Sequence, residues 1–521
     1  MSTGPWTRVG RVVALCALTP LLFACTASPA EKPAGPAPTS KSSDEGGDGG
    51  AAGAAPTAKV AAVCGKTKPG PSTAPAGAVE VVPGAGENLS TVTEANPPGT
   101  TFWLARGTHR LGDGEYDQVM PKPGNVYLGA PGAVFDGRRV NKYAFSGDAE
   151  NVTIAHLTVR GFIPPRDEGV VNHDSGNGWT IEYNTIQKND GAGMMAGARQ
   201  VVRGNCLRDN GQYGINAYQG DGGITGMKVE GNEITGNNTG DWESKVDGCG
   251  CTGGVKFWAV NGADIRGNWV HDNRGVGLWA DTNNNDFLIE DNVIEDNDGP
   301  ALFYEISYNA IIRNNLLRRN NLVEGKVFAD REDSFPAATV YLSEAGGEPR
   351  IKARTDKIDF YGNELVDNWN GITLWENADR FCSSPANTTS DCTLLVSDSS
   401  KCSQPGISKP PLYDDCRWKT QNVDIHDNSF SLDSEKMGCG TMCSRMAVLS
   451  NYGTYPDWSP YMKDVVQQAI TFEQNNHWRN NRYSGKWTFV VRDTSEMVDS
   501  GEWQADPYEQ DASSAFARAG G

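Results

Sequence analysis

Three ionisable residues, Lys256, Asp281 and Glu305, sit at matching points of a repeating pattern and define the chemistry open to this chain. An amine beside carboxylates suits removal of the proton next to a uronate carboxylate, a reaction that needs a base and a cation to hold the enediolate. With its pKa lowered in a walled groove, Lys256 would be that base, with His173 or Tyr218 assisting; its plainer role is as the salt-bridge partner of Asp281. Asp281 and Glu305 offer two further options. They could bind Ca²⁺ that bridges a substrate carboxylate. Alternatively, they could act as the paired carboxyl groups of a glycoside hydrolase, since stacking on neighbouring coils would bring their backbones to about 5 Å. Around them Tyr218, Trp258, Trp279, Phe303, Tyr341 and Trp375 supply flat rings suited to the apolar faces of sugars.

What must position these residues is a repeat. Between Asn184 and Asn368 the pattern Asn, any residue, aliphatic, two more, Asn occurs seven times. Its copies start at Asn184, Asn205, Asn232, Asn268, Asn292, Asn315 and Asn363. Their spacings of 21, 27, 36, 24, 23 and 48 residues are those of a stacked-coil solenoid with tolerated insertions. Alternating apolar residues make strands the unit, three short ones per coil. Asn is the residue for a stacked column because its amide both donates and accepts, so each can bond to the next.

In the third strand of each coil the inward pairs are expected to be Val170/Asn172, Met194/Ala196, Ile215/Ala217, Val255/Phe257, Leu278/Ala280, Leu302/Tyr304, Val340/Leu342 and Ile372/Leu374. Two outward columns result. One carries Lys256, Trp279, Phe303 and Tyr341; the other carries His173, Tyr218, Trp258, Asp281, Glu305, Ser343 and Trp375. Insertions at 238–252, 321–337 and 378–420 flank this face from both sides, which predicts a walled groove. Residues 84–110 read as a short helix and a strand, within an N-terminal cap of about 79–120. A C-terminal cap of about 460–521 holds an irregular coil, a strand at Trp487–Val491 and an acidic tail.

Sixty-five acidic against 46 basic residues give a net charge of −19, which excludes a nucleic-acid partner and requires any polyuronate to meet local cations. Residues 1–25 read as an export signal ending in Leu22-Phe23-Ala24-Cys25, which would make Cys25 a lipidated mature N-terminus. Residues 26–62, rich in Pro, Ala, Gly and Ser, would tether the 63–521 body to the outer face of a bacterial cytoplasmic membrane; a monomer is expected. Without Cys16 and Cys25, ten of the 12 cysteines remain, suiting disulfides that clamp loops. Cys249 and Cys251 are expected to be structural, and Cys206, beside a ladder Asn, to be a buried free thiol.

Over residues 79–495 the ladder and three-strand coils resemble the right-handed parallel β-helix superfamily, the pectin-lyase-like fold. The resemblance implies an all-β parallel β-helix with capped ends and disulfide-clamped loops beside one sheet. Known members include polysaccharide lyases, uronan C5-epimerases, glycoside hydrolases and non-catalytic adhesins. Asn172-His173-Asp174 keeps the second half of the epimerase motif Asp-Pro-His-Asp. The strand Gly254-Val255-Lys256-Phe257-Trp258 is similar to that of calcium-dependent lyases with a strand lysine as base, although their Asp-Asp calcium cluster is missing, as is the paired-Asp motif of the polygalacturonase-type hydrolases. The expectation is therefore a lyase-like enzyme using Lys256, Asp281 and Glu305, with His173, Tyr218, Trp258, Trp279, Tyr341 and Trp375 binding glycan. The alternatives are a hydrolase using Asp281/Glu305 and a non-catalytic envelope-glycan binder.

Overall fold

A computed structural model describes residues 58–517, apart from 87, 221–222, 247–248, 390 and 452–456. The expected export signal, Cys25 and the expected tether up to residue 57 lie outside the described residues. Three sheets of 13, 13 and 11 strands run along the body, their strands pairing in parallel with counterparts one coil away, except that Met497–Val498 pairs antiparallel with Thr488–Arg492 at the end of the third. One coil shows how the sequence makes them. Thr180–Glu182 lies in the first sheet, Thr185–Gln187 in the second and Ala192–Met195 in the third. Ile181, Ile186 and Met194 point into the shared interior, all fully buried.

The corner between the first two sheets needs a left-handed residue just before each ladder Asn. Gly204, Gly231, Gly267 and Gly362 fill four of these positions, and Asp291 and Asn314 two more, all with φ between 55° and 63°. These residue types enter that region at least cost. The ladder Asn then closes the corner. Asn268 donates to Asn292 Oδ1 through both its backbone N–H and its Nδ2, each at 2.9 Å, and Asn292 repeats the arrangement with Asn315. Asn428 and Asn481 extend the column by two coils beyond Asn363.

The third sheet keeps the expected register over most of its length. Lys256 pairs with Trp279, Trp279 with Phe303, Phe303 with Tyr341, and Glu305 with Ser343. The lowest coil differs: Val171, not Val170, pairs with Met194. Both valines are fully buried, so the inside–outside alternation that sets register elsewhere is silent there. The C-terminus also departs from expectation. In place of an acidic tail, the helix Ser500–Gln504 buries Trp503, and Ala515–Ala517 pairs with Arg482–Ser484. At the other end the helix Leu89–Ala95 is capped by the Asn88 side chain and lies between the strands Val79–Val81 and Thr101–Leu104.

Residues 63–71 form a strap along the outside of several coils. The backbone N–H groups of Val63 and Cys64 donate to Glu233 at 2.6 and 2.8 Å. Thr67 bonds to Thr185, the Lys68 carbonyl meets the His156 ring, and Trp103 donates to the Pro71 carbonyl. Cys64 and Cys206 are joined in a disulfide, so Cys206 is not the free thiol expected. Its partner lies 142 residues away, and no local spacing could have named it. The other pairs are Cys249–Cys251, Cys382–Cys392, Cys402–Cys416 and Cys439–Cys443, four local clamps.

Candidate functional site

On the third sheet, the three insertions enclose a cleft of about 520 Å³. Its floor is the outward side of the strands Val255–Phe257, Leu278–Ala280 and Leu302–Glu305. One wall is the helix Leu322–Asp330, and Arg380, Thr388 and Thr389 reach in from the long insertion opposite. The cleft brings together Lys256, Trp258, Trp279, Asp281, Glu305, Tyr341 and Trp375, seven of the residues singled out from the sequence. Two fall outside it. His173 stacks on Tyr143 at 3.7 Å, in the turn after Gly169–Val171, a strand three places down the sheet from Val255–Phe257. Tyr218, 46% exposed, packs edge-on to Trp258 at 6.4 Å and continues the aromatic column past the cleft.

The exposed aromatic face is shorter than expected. Phe303, Tyr341 and Trp375 are buried, forming with Val276, Ala338 and Leu449 an apolar cluster on the outer side of the sheet. Phe335 from the 321–337 insertion covers Tyr341 and Trp375. Long insertions hide aromatic surface that a bare strand would expose, and alternation within a strand cannot register that cover. Trp258 and Trp279 remain half-buried and line the opening.

The charged groups are paired along the floor. Lys256 Nζ lies 3.0 Å from Asp281 Oδ2, 4.0 Å above the Trp279 ring, and donates to the Gly250 carbonyl. Burial alone would lower the Lys256 pKa, but the Asp281 carboxylate outweighs it and holds the ammonium above its ordinary value. Lys256 is thus held protonated, contrary to the lowered pKa that a lyase base requires. Glu305 takes Arg380 at 2.6 Å on one oxygen and the Trp279 indole N–H at 3.1 Å on the other. Arg380 also approaches Glu344, whose acid is pushed up to about 7 by burial, against the guanidinium's pull.

These pairings bear on the proposed metal and acid roles. Both Asp281 oxygens are engaged, by Lys256 and by the Thr282 hydroxyl, and so are both Glu305 oxygens. A calcium ion would have to displace two resident cations, so these residues do not fit a calcium site. Each carboxylate of the Asp281/Glu305 pair faces a cation, Lys256 and Arg380 respectively. The sequence reading missed Arg380, Asp298 and Glu324, all in the cleft. Glu324 lies in a stretch read as loop, where the nine-residue helix Leu322–Asp330 now stands.

The right-handed β-helix family model matches residues 168–394. No curated protein matches the chain. Among solved structures it is similar to the A-module of a mannuronan C-5 epimerase from Azotobacter vinelandii, with 12% identity over 82% of this chain and 90% of that one, TM-score 0.37. The catalytic unit of a GH87 alpha-1,3-glucanase from Streptomyces thermodiastaticus shares 12% identity over 80% of this chain and 59% of that one, TM-score 0.37. A pectate lyase shares 13% over 57% and 78%, TM-score 0.32. None of these likenesses is strong enough to assign an activity. With three parallel sheets, two asparagine-lined corners and a walled cleft on the third sheet, the chain has the right-handed parallel β-helix fold.

Proposed function

We propose that the cleft binds an extended neutral polysaccharide and hydrolyses its glycosidic bonds. One observation carries this reading: the coil register sets the Trp258 and Trp279 rings beside the Asp281 and Glu305 carboxylates within a single walled cleft. Rings take the apolar faces of sugars, and carboxylates take their hydroxyls. Tyr218, next in the column, would extend the platform by one sugar unit. Lys256 holds the Asp281 carboxylate in position to attack the anomeric carbon or to activate water. Glu305, tied to Arg380 and Trp279, would orient hydroxyl groups.

Two features speak against the lyase reading. Lys256 is paired with Asp281, whose carboxylate outweighs burial and raises the ammonium's pKa, away from what a base for a carbon acid requires. The acids Asp241, Glu243, Asp281, Asp298 and Glu305 also outnumber Lys256, Arg274 and Arg380 in the lining, a field that repels uronates. The test is a screen of purified protein against neutral glycans and uronans, read for new reducing ends and for ultraviolet-absorbing unsaturated products. Reducing ends without unsaturation are expected. Asp281→Asn, nearly isosteric, should lose turnover by at least about 10²-fold while still retarding on a glycan affinity gel. An unsaturated product would restore the lyase reading, and retention without any product would make the protein a binder.

A further inference from the structure

Hydrolysis needs a proton for the departing oxygen, and neither floor carboxylate is placed to supply one. We infer that Glu324, on the helix that walls the cleft, is the proton donor; this rests on the hydrolytic reading above. Its carboxyl lines the cleft, and Oε2 is sealed from solvent and accepts no hydrogen bond. The group lies against Gly299, where an added Cβ would come within 2.6 Å of Oε2 and 2.8 Å of Oε1. That close seat exists only because residue 299 has no side chain. Asp298 is the immediate neighbour, its carbonyl accepting the Glu324 backbone N–H at 3.2 Å.

The charges around this seat all favour a neutral acid. Burial comes first, followed by the like charges of Asp298 and Glu243, and together they hold the Glu324 carboxyl well above its ordinary value. Arg274, the nearest cation acting on Asp298, is paired with Asp241 at 3.4 Å. Among the described residues no Lys or Arg forms an ion pair with Glu324. Two carboxyl groups in contrasting environments, Asp281 against an ammonium and Glu324 against other acids, are the division of labour that glycoside hydrolysis uses.

The step balances as follows. The Glu324 proton passes to the glycosidic oxygen as the bond to the anomeric carbon breaks, and the leaving sugar departs as an alcohol with the bonding pair. Asp281 bonds to the anomeric carbon as that bond breaks, and an incoming water then displaces it, freeing the Asp281 carboxylate. Water finally leaves hydroxide on that carbon and returns its proton to Glu324.

The test compares wild type with Glu324→Gln, which keeps shape and folding but holds no transferable acid proton. On a glycan that the wild type cleaves, turnover should fall about 10²- to 10⁴-fold. On an aryl glycoside with a good leaving group, which needs no protonation, the loss should be under about tenfold. Asp298→Asn removes one like charge and should move the alkaline limb of the pH profile to lower pH. Independently of any substrate, the infrared spectrum of the wild type at neutral pH should contain a protonated-carboxyl band that Glu324→Gln removes. Equal losses on the two substrates, an unmoved alkaline limb, or absence of the band would each overturn the assignment. A wild type that cleaves no glycan yet loses the band on substitution would refute the hydrolytic reading and leave the buried proton on Glu324.

Discussion

Replacing Asn292 with alanine tests the element that stacks the coils and therefore aligns the cleft. Asn292 is fully buried; its Oδ1 accepts from the backbone and side chain of Asn268, and its Nδ2 donates to Asn315 Oδ1 and the Ile265 carbonyl, all at 2.9 Å. Alanine deletes all four contacts and strands two buried donors on Asn268. At about 1–3 kcal/mol for each orphaned donor the loss is about 2–6 kcal/mol. Asn292→Asp sharpens the test. It keeps the acceptor for Asn268 but, when ionised, presents a buried negative charge to two acceptors, which would raise its pKa. Acidification should then return a donor to the column, so stability of the Asp variant recovers as pH falls and that of the Ala variant does not. Urea unfolding monitored by circular dichroism gives the free energies, and amide exchange locates the weakness, expected at the coils of Asn268, Asn292 and Asn315 because solenoid coils contact only their neighbours. A loss below about 1 kcal/mol for Asn292→Ala, or identical pH behaviour of the two variants, would show that the ladder decorates the corner rather than holding it.

The strap provides two further predictions. Closing a loop of 142 residues sets a ceiling of about 5 kcal/mol for the Cys64–Cys206 disulfide. In Cys64→Ala/Cys206→Ala the few remaining strap hydrogen bonds must compete with about 1–2 kcal/mol of ordering cost per residue, so amide exchange at Val63 and Cys64 should rise to unprotected rates while the coils persist; continued protection would refute this. The strap should also depend on pH. At Glu233, burial is outweighed by His271 and by the Cys64 and Val63 N–H groups, which lowers its pKa below 4.5; at His271, burial is outweighed by Glu233 and Asp272, which raises its pKa above 6.5. The Glu233 contribution is therefore full above pH 4.5 and lost as pH falls through its folded value. The His271 contribution is full below pH 6.5 and lost as pH rises through its folded value. Resistance of the strap to proteolysis should peak between these limits, and a flat profile would contradict the assignment.

Most of the fold was legible because its determinants are local and periodic. The Asn spacing and the alternating aliphatics each recur within a few residues, so the strands and most of the third-sheet register could be read directly. Failures occurred where that local signal lapsed. Asn428 and Asn481 went unnoticed because Phe430 and Tyr483 stand where the repeat has an aliphatic residue. The register slipped at Val170 and Val171 because both are buried. The strap carries no helix or strand, and its anchors Glu233 and Cys206 are distant in sequence.

The site divides along the same line. Lys256, Trp258, Trp279, Asp281 and Glu305 could be brought together from sequence because they ride on the coils, whose register fixes where each points. The Lys256–Asp281 pair, carried by neighbouring coils, was open to reading, but the other partners come from insertions that obey no repeat. Arg380 arrives from the 378–420 insertion to claim Glu305, Phe335 seals the upper aromatics, and Glu324 is carried in on a helix. Of the two roles read for Lys256, pairing with Asp281 is the one the contacts show, and Glu324, the acid proposed to carry the proton, belongs to an insertion. In this architecture the coils determine which side chains face the substrate, while the insertions determine which of them are charged. A search for chemistry in such a chain should therefore begin with the acids and bases of the insertions, and treat the strand residues as the surface on which they act.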